Sequence, residues 1–158
     1  MARLNGFYPI NEKSVMEFFA FAEAHMSATD LQRFIRIQHL NEWCPSIEKV
    51  LSHSADRGSL LLKWGEYSVH QEVIRDGIHF TLPGCNHAMQ WSITAEPGSK
   101  GGVVTVHCTV NKTEVDATYQ TQLEQFVEDW KVGLESGWNR IRQALESKPR
   151  GECAPWYG

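Results

Sequence analysis

The chain has 158 residues, 42% hydrophobic and 22% charged, the make-up of one globular domain able to bury a core of its own. Its 15 Lys and Arg against 19 Asp and Glu leave a net charge of −4. No basic run stands out, so the electrostatic footprint of a nucleic-acid partner is missing.

Leu4 to Tyr8, ahead of Pro9, reads as a short edge strand. Ser14 and Glu17 have capping-box spacing. Val15, Phe18, Phe19, Ala22 and Met26 follow at helical intervals, which predicts a first helix over 14–26. This is also the most apolar N-terminal stretch. Glu17 and Glu23 interrupt it, no signal-peptide core precedes it, and nothing elsewhere reads as a membrane span. The scattered Cys44, Cys85, Cys108 and Cys153 are therefore expected to be reduced thiols of a cytoplasmic protein. Ser27 to Asp30 breaks the pattern. Thr29 and Gln32 repeat the capping spacing, and Leu31, Phe34 and Ile35 open a second helix. That helix is expected to end before Trp43-Cys44-Pro45, because the residue before a proline disfavours the α region. Ile47 to Ser52 reads as a strand with poor alternation.

The middle of the chain alternates cleanly. Asp76-Gly77 predicts a two-residue hairpin turn, with Val73 opposite Phe80 and Gln71 opposite Leu82. Gly65-Glu66 predicts another, with Trp64 opposite Tyr67 and Leu62 opposite Val69. Both registers put Leu60, Leu62, Trp64, Tyr67, Val69, Val73, Phe80 and Leu82 on one face, and a slip of one residue would turn that set outward. Pro83-Gly84 ends the strand, and Met89, Trp91 and Ile93 form the next. A polar loop covers Glu96 to Gly102, and Val104, Val106, Cys108 and Val110 form the last strand. This is an antiparallel meander with one apolar face.

A long helix, Asp116 to Glu146, follows at once. Leu123, Phe126, Val127, Trp130, Leu134, Trp138, Ile141 and Leu145 recur at intervals of three and four, opposite a charged face. At about 45 Å for ~30 residues, the helix needs an equally long apolar surface, and the meander is the only candidate. The expected organisation is one α+β domain over residues 1–147. A curved antiparallel sheet grips the C-terminal helix, two shorter helices lie near the N-terminus, and 148–158 forms a loosely ordered tail.

Leu40-Asn41-Glu42-Trp43-Cys44-Pro45 resembles a Leu-x-x-Trp-x-Pro segment that leads into a second strand, and Trp130, Gly133, Leu134, Gly137 and Trp138 resemble an aromatic-and-glycine C-terminal helix. With the order of elements over about residues 3 to 146, they make the chain similar to the helix-grip fold of the START-like (SRPBCC) superfamily. The C-terminal helix resembles that of its heat-shock-chaperone-ATPase-activator-like branch.

The resemblance implies a cavity between sheet and helix for a hydrophobic or amphipathic small molecule, in a binding or regulatory module. Trp64, Tyr67, Phe80, Trp91, Trp130 and Trp138 would line it, with the Tyr67 hydroxyl orienting the ligand. Gly137 lies in the apolar stripe of the helix, where glycine costs ~1 kcal/mol against alanine. It either leaves the ligand room or lets the helix pack closely on the sheet, and the aromatics have the matching alternative of being plain core.

No metal site is expected. Cys85 and His87 flank a turn, but His107 and Cys108 point to opposite faces of a strand. His70 and His79 read as surface residues, and Glu66, Glu72 and Asp76 as solubilising carboxylates. Nucleophile-elbow, phosphate-loop and dinucleotide patterns are absent, so no cofactor and no catalytic residue is named, and whether the chain is an enzyme stays open. Two other readings compete with ligand binding. One is a protein-binding domain like the bacterial secretion chaperones, acting through an exposed surface as a homodimer. The other is an enzyme of the cyclase type.

Overall fold

The computed structural model describes residues 15–96, 102–111 and 115–146. The expected strand at 4–8, the Ser14 cap, residues 97–101 of the polar loop, Cys153 and the 148–158 tail lie outside them. Strands β1 (Val15–Glu23), β2 (Ile47–His53), β3 (Arg57–Leu62), β4 (Gly65–Ile74), β5 (Gly77–Thr81), β6 (Gln90–Ala95) and β7 (Val103–Asn111) form one curved antiparallel sheet, ordered β1-β7-β6-β5-β4-β3-β2. Helices α1 (Ala28–Phe34) and α2 (Leu40–Trp43) sit between β1 and β2, joined through a 3-10 turn at Ile37–His39, and α3 (Ala117–Glu146) follows β7. The fold is α+β, as the residue patterns imply. Among the described residues no helix is long and apolar enough to cross a membrane.

The helix expected over 14–26 is instead strand β1. Phe18, Ala20 and Ala22 are buried on its inner face and Ala24 continues the row, while Glu17, Phe19, Phe21 and Glu23 point outward. In so apolar a stretch both a two-residue and a 3.6-residue period can be drawn. Nine pairings with β7, from Val15 opposite Asn111 to Glu23 opposite Val103, decide between them. The small inner side chains let α3 lie close along β1.

The cap of α1 is also displaced. Ser27, not Thr29, closes the capping box: the Asp30 N–H donates to Ser27 Oγ at 3.1 Å and the Ser27 N–H to Asp30 Oδ2 at 3.0 Å. Gln32 instead donates through Nε2 to the Ile74 carbonyl at 2.9 Å. The second helical region breaks into three pieces and runs on through Trp43. Cys44 then turns extended, at φ −134° and ψ 109°, as Pro45 requires.

Both hairpins turn earlier in the chain than expected. Leu62 pairs with Gly65, so Lys63-Trp64 makes the first turn. Ile74 pairs with Gly77, Val73 with Ile78 and Gln71 with Phe80, so Arg75-Asp76 makes the second. The slips are by four and two residues. Even slips preserve the faces, and Leu60, Leu62, Val69, Phe80 and Leu82 are all buried. Val73 is the exception, 56% exposed near the hairpin end. Gly77 is held inside the strand by sterics, because a Cβ there would run into the Ile93 carbonyl oxygen of β6. Gln71, which takes the place expected for an apolar partner, is satisfied because its Oε1 accepts the Ile37 N–H at 3.0 Å.

Along α3, Leu123, Phe126, Val127, Trp130 and Leu134 are buried, whereas Leu145 is 61% exposed. The helix outruns the sheet. Glu135 ties it to the edge strand by accepting the Glu23 N–H at 2.9 Å and a hydrogen bond from Lys131 Nζ at 3.2 Å. The backbone hydrogen bond and, after it, Lys131 hold the Glu135 carboxyl below its ordinary pKa. Its stabilising effect is therefore present above the ordinary carboxylate range and lost as pH falls through the lowered value. Glu135→Gln is expected to melt below the wild type at neutral pH, with the gap closing on acidification. Melting curves from neutral to acid pH check this, and a pH-independent gap would contradict it.

Candidate functional site

A chain of aromatic rings runs between sheet and helix. Phe80 of β5 stacks on Trp91 of β6 at 5.2 Å between centroids, and Phe126 of α3 meets Trp91 edge-on at 5.0 Å. Phe126 also meets Trp64 of the β3–β4 turn at 6.0 Å, Tyr119 meets Trp64 at 5.8 Å, and His87 lies 4.8 Å from the Tyr119 ring. Trp130 lies about one turn beyond Phe126, fully buried. Of the residues expected to line a site, the structure brings Trp64, Tyr67, Phe80, Trp91 and Trp130 to this interface.

Tyr119 and His87 were not foreseen as site residues. Tyr119 was legible in principle, since 119, 123, 126 and 130 continue the helical spacing one turn back. His87 depends on loop geometry. Two consecutive turns shape the β5–β6 connection: the Cys85 N–H donates to the Leu82 carbonyl and the Ala88 N–H to the Cys85 carbonyl, each at 3.0 Å. Ala88 takes the left-handed region, φ 51°, and the Asn111 N–H donates to the His87 carbonyl at 2.6 Å. His87 is thus pinned between this loop and the end of β7.

Four buried polar atoms of the interface lack partners among the described residues. Nε1 of Trp64, Trp91 and Trp130 and Nδ1 of His87 are buried with no hydrogen bond to any described residue. At the Trp64 end, Tyr67, Cys85 and Tyr119 remain partly exposed. Burial pushes the Tyr119 hydroxyl well above its usual pKa, reinforced by Cys85, Cys108 and Tyr67 around it. Burial and then Cys85 raise Tyr67 likewise, and burial raises the Cys108 thiol. These groups stay neutral and protonated at physiological pH, so they can donate hydrogen bonds and carry no charge.

Gly137 and Trp138 lie elsewhere. A Cβ on Gly137 would sit 2.7 Å from the Trp43 ring of α2, and one on Gly133 would run into the Trp43 carbonyl. The space beside these glycines is filled by α2, not by a strand or by the helix–sheet interior. The Trp138 ring packs on Phe34 of α1 at 5.7 Å, with its Nε1 buried and unpartnered among the described residues. On this outer side lies a cavity of about 370 Å³. Phe34, Trp43, Gly137 and Ile141 form its apolar lining, and His39, Glu42 and Arg140 its polar one.

Among the described residues no three His, Cys, Asp or Glu side chains gather closely enough to hold an ion. His107 binds Glu17 at 2.7 Å and stacks on Phe19 on the outer face, while Cys108 is buried on the inner one. Cys44, Cys85 and Cys108 are free thiols.

No protein-family model and no curated protein matches the chain. Solved structures do. The protein XoxI from Bacillus cereus superposes with a TM-score of 0.58 at 11% identity, over 82% of this chain and 98% of that one. TTHA0849 from Thermus thermophilus gives 0.55 at 14% identity, over 80% and 98%. Ara h 8.0201 gives 0.52 at 11% identity, over 80% and 99%. Likeness at such identities concerns the fold alone, a helix-grip arrangement of curved sheet and C-terminal helix.

Proposed function

We propose that this chain binds an apolar or amphipathic small molecule with acceptor oxygens, held between the sheet and α3. The molecule enters at the end where Trp64, Tyr67, Cys85 and Tyr119 are only partly buried. The observation that carries this reading is the set of donors on Trp64, Trp91 and Trp130, beside His87 Nδ1, that are unpartnered among the described residues. A buried polar group without a partner costs roughly 1–3 kcal/mol and is rare in folded proteins. Ligand carbonyl, carboxylate or hydroxyl oxygens would relieve several at once. The helix-grip neighbours are consistent with such a use. The contact of Trp43 with Gly133 and Gly137 joins the two stretches behind the family resemblance. It supports placing the chain near the heat-shock-chaperone-ATPase-activator-like branch, and the free thiols Cys44, Cys85 and Cys108 fit a cytoplasmic protein.

Native mass spectrometry of freshly purified protein tests the reading. A small-molecule mass that co-purifies and leaves on denaturation is expected. Trp91→Phe keeps a ring but deletes one donor, and should weaken that ligand about tenfold, the equivalent of ~1.4 kcal/mol. Protein that carries no ligand, and whose melting point no amphiphile raises, would sink the proposal. One feature favours a second reading, the protein-binding chaperone-like domain. Phe19 and Phe21 are 50% and 56% exposed on the outer face of edge strand β1, so a ligand-free homodimer in the same experiment would favour it.

A further inference from the structure

We infer a second small-molecule site on the far side of α3, in the cavity shared by α1, α2 and the later turns of α3, with a compact aromatic anion as its ligand. Its volume of about 370 Å³ falls in the range of small-ligand sites and suits two fused rings carrying a third.

The apolar wall is pre-set. Trp43 is fixed from two sides: its Nε1–H donates to the Phe34 carbonyl at 3.2 Å, and its ring lies in the groove that Gly137 leaves open. Phe34 is held in turn by the Trp138 ring. A wall that need not be ordered on binding offers its full contact area to a flat ligand.

The polar lining selects the charge. His39 Nδ1 and Glu42 Oε2 lie 3.0 Å apart and satisfy each other. Arg140, the permanently cationic group of the lining, makes no ion pair among the described residues, whereas the Glu42 carboxylate is engaged by His39. A further guanidinium, that of Arg33, stands 5.0 Å over the Phe34 ring. An unpaired guanidinium beside two aromatic walls suits a planar molecule with a carboxylate, sulfonate or phosphate, which Arg binds through two parallel hydrogen bonds while the rings bury the apolar part. A cation would meet Arg140, and a neutral hydrocarbon would leave it unused.

Two probes with the same ring system isolate the charge: 8-anilinonaphthalene-1-sulfonate and its uncharged counterpart N-phenyl-1-naphthylamine. Each is titrated by fluorescence into wild type, Arg140→Gln and Trp91→Phe. Arg140 is exposed, so its variant should melt with the wild type. The sulfonate is expected to bind Arg140→Gln at least tenfold more weakly, with Trp91→Phe unchanged and the neutral probe indifferent to Arg140. Equal sulfonate affinity in wild type and Arg140→Gln, an equal loss for both probes, a loss in Trp91→Phe alone, or no sulfonate binding to the wild type would each overturn the inference.

Discussion

Trp91→Ala is expected to destabilise the fold by about 3–5 kcal/mol, the range for removing a fully buried large aromatic. For a chain of this size that lowers the melting point by roughly 6–20 °C. Trp91 has no exposed surface, and its ring is wedged between Phe80 of the sheet and Phe126 of the helix. Losing it opens a hole at the joint of both layers, which the β6 backbone, laddered to β5 and β7, cannot close. Trp91→Phe should cost far less, because much of the ring contact survives and a buried N–H without an acceptor disappears with the indole. Thermal melts of the two variants side by side decide this. If alanine cost no more than phenylalanine, the interface would not be packed as described.

Gly133→Ala should be destabilising by roughly 1–3 kcal/mol, as overpacking is, although alanine is the better helix former by ~1 kcal/mol. The sign is the informative part. On an exposed helix face the exchange would raise the melting point. Here the new methyl group would run into the backbone carbonyl of Trp43, and a carbonyl cannot rotate aside as a side chain can. Gly137→Ala meets the Trp43 ring instead, which can shift at the expense of its hydrogen bond to Phe34, so a smaller loss is expected. Melting temperatures of both variants check the seam. A Gly133→Ala protein more stable than the wild type would show that α2 and α3 are not in contact there.

The same two residues mark where sequence reasoning stopped. An apolar stripe in the last helix is visible from spacing alone, and so is the presence of two glycines in it. What the glycines face is not, because α2 is a four-residue helix with no periodic signal of its own. Site residues divided along the same line. Trp64, Tyr67, Phe80, Trp91 and Trp130 share an apolar face by local pattern and meet in space, whereas Gly137 and Trp138 belong to the outer seam.

The sequence by itself determined the long helix, the meander and the inward face of each of its strands, because side-chain periodicity is a local property and survives a register slip of two or four residues. Tertiary structure decided the rest. β1 is a strand because β7 offers nine partners that a helix over 14–26 could not use. The hairpins turn at Lys63-Trp64 and Arg75-Asp76 rather than at the expected glycine-containing pairs. Gly77 is needed where β5 meets the Ile93 carbonyl, and Gly65, at φ +156°, absorbs the backbone conformation that follows the turn. Pairing, close approach and the identity of a neighbour are contacts between residues far apart in the chain, and no local period encodes them.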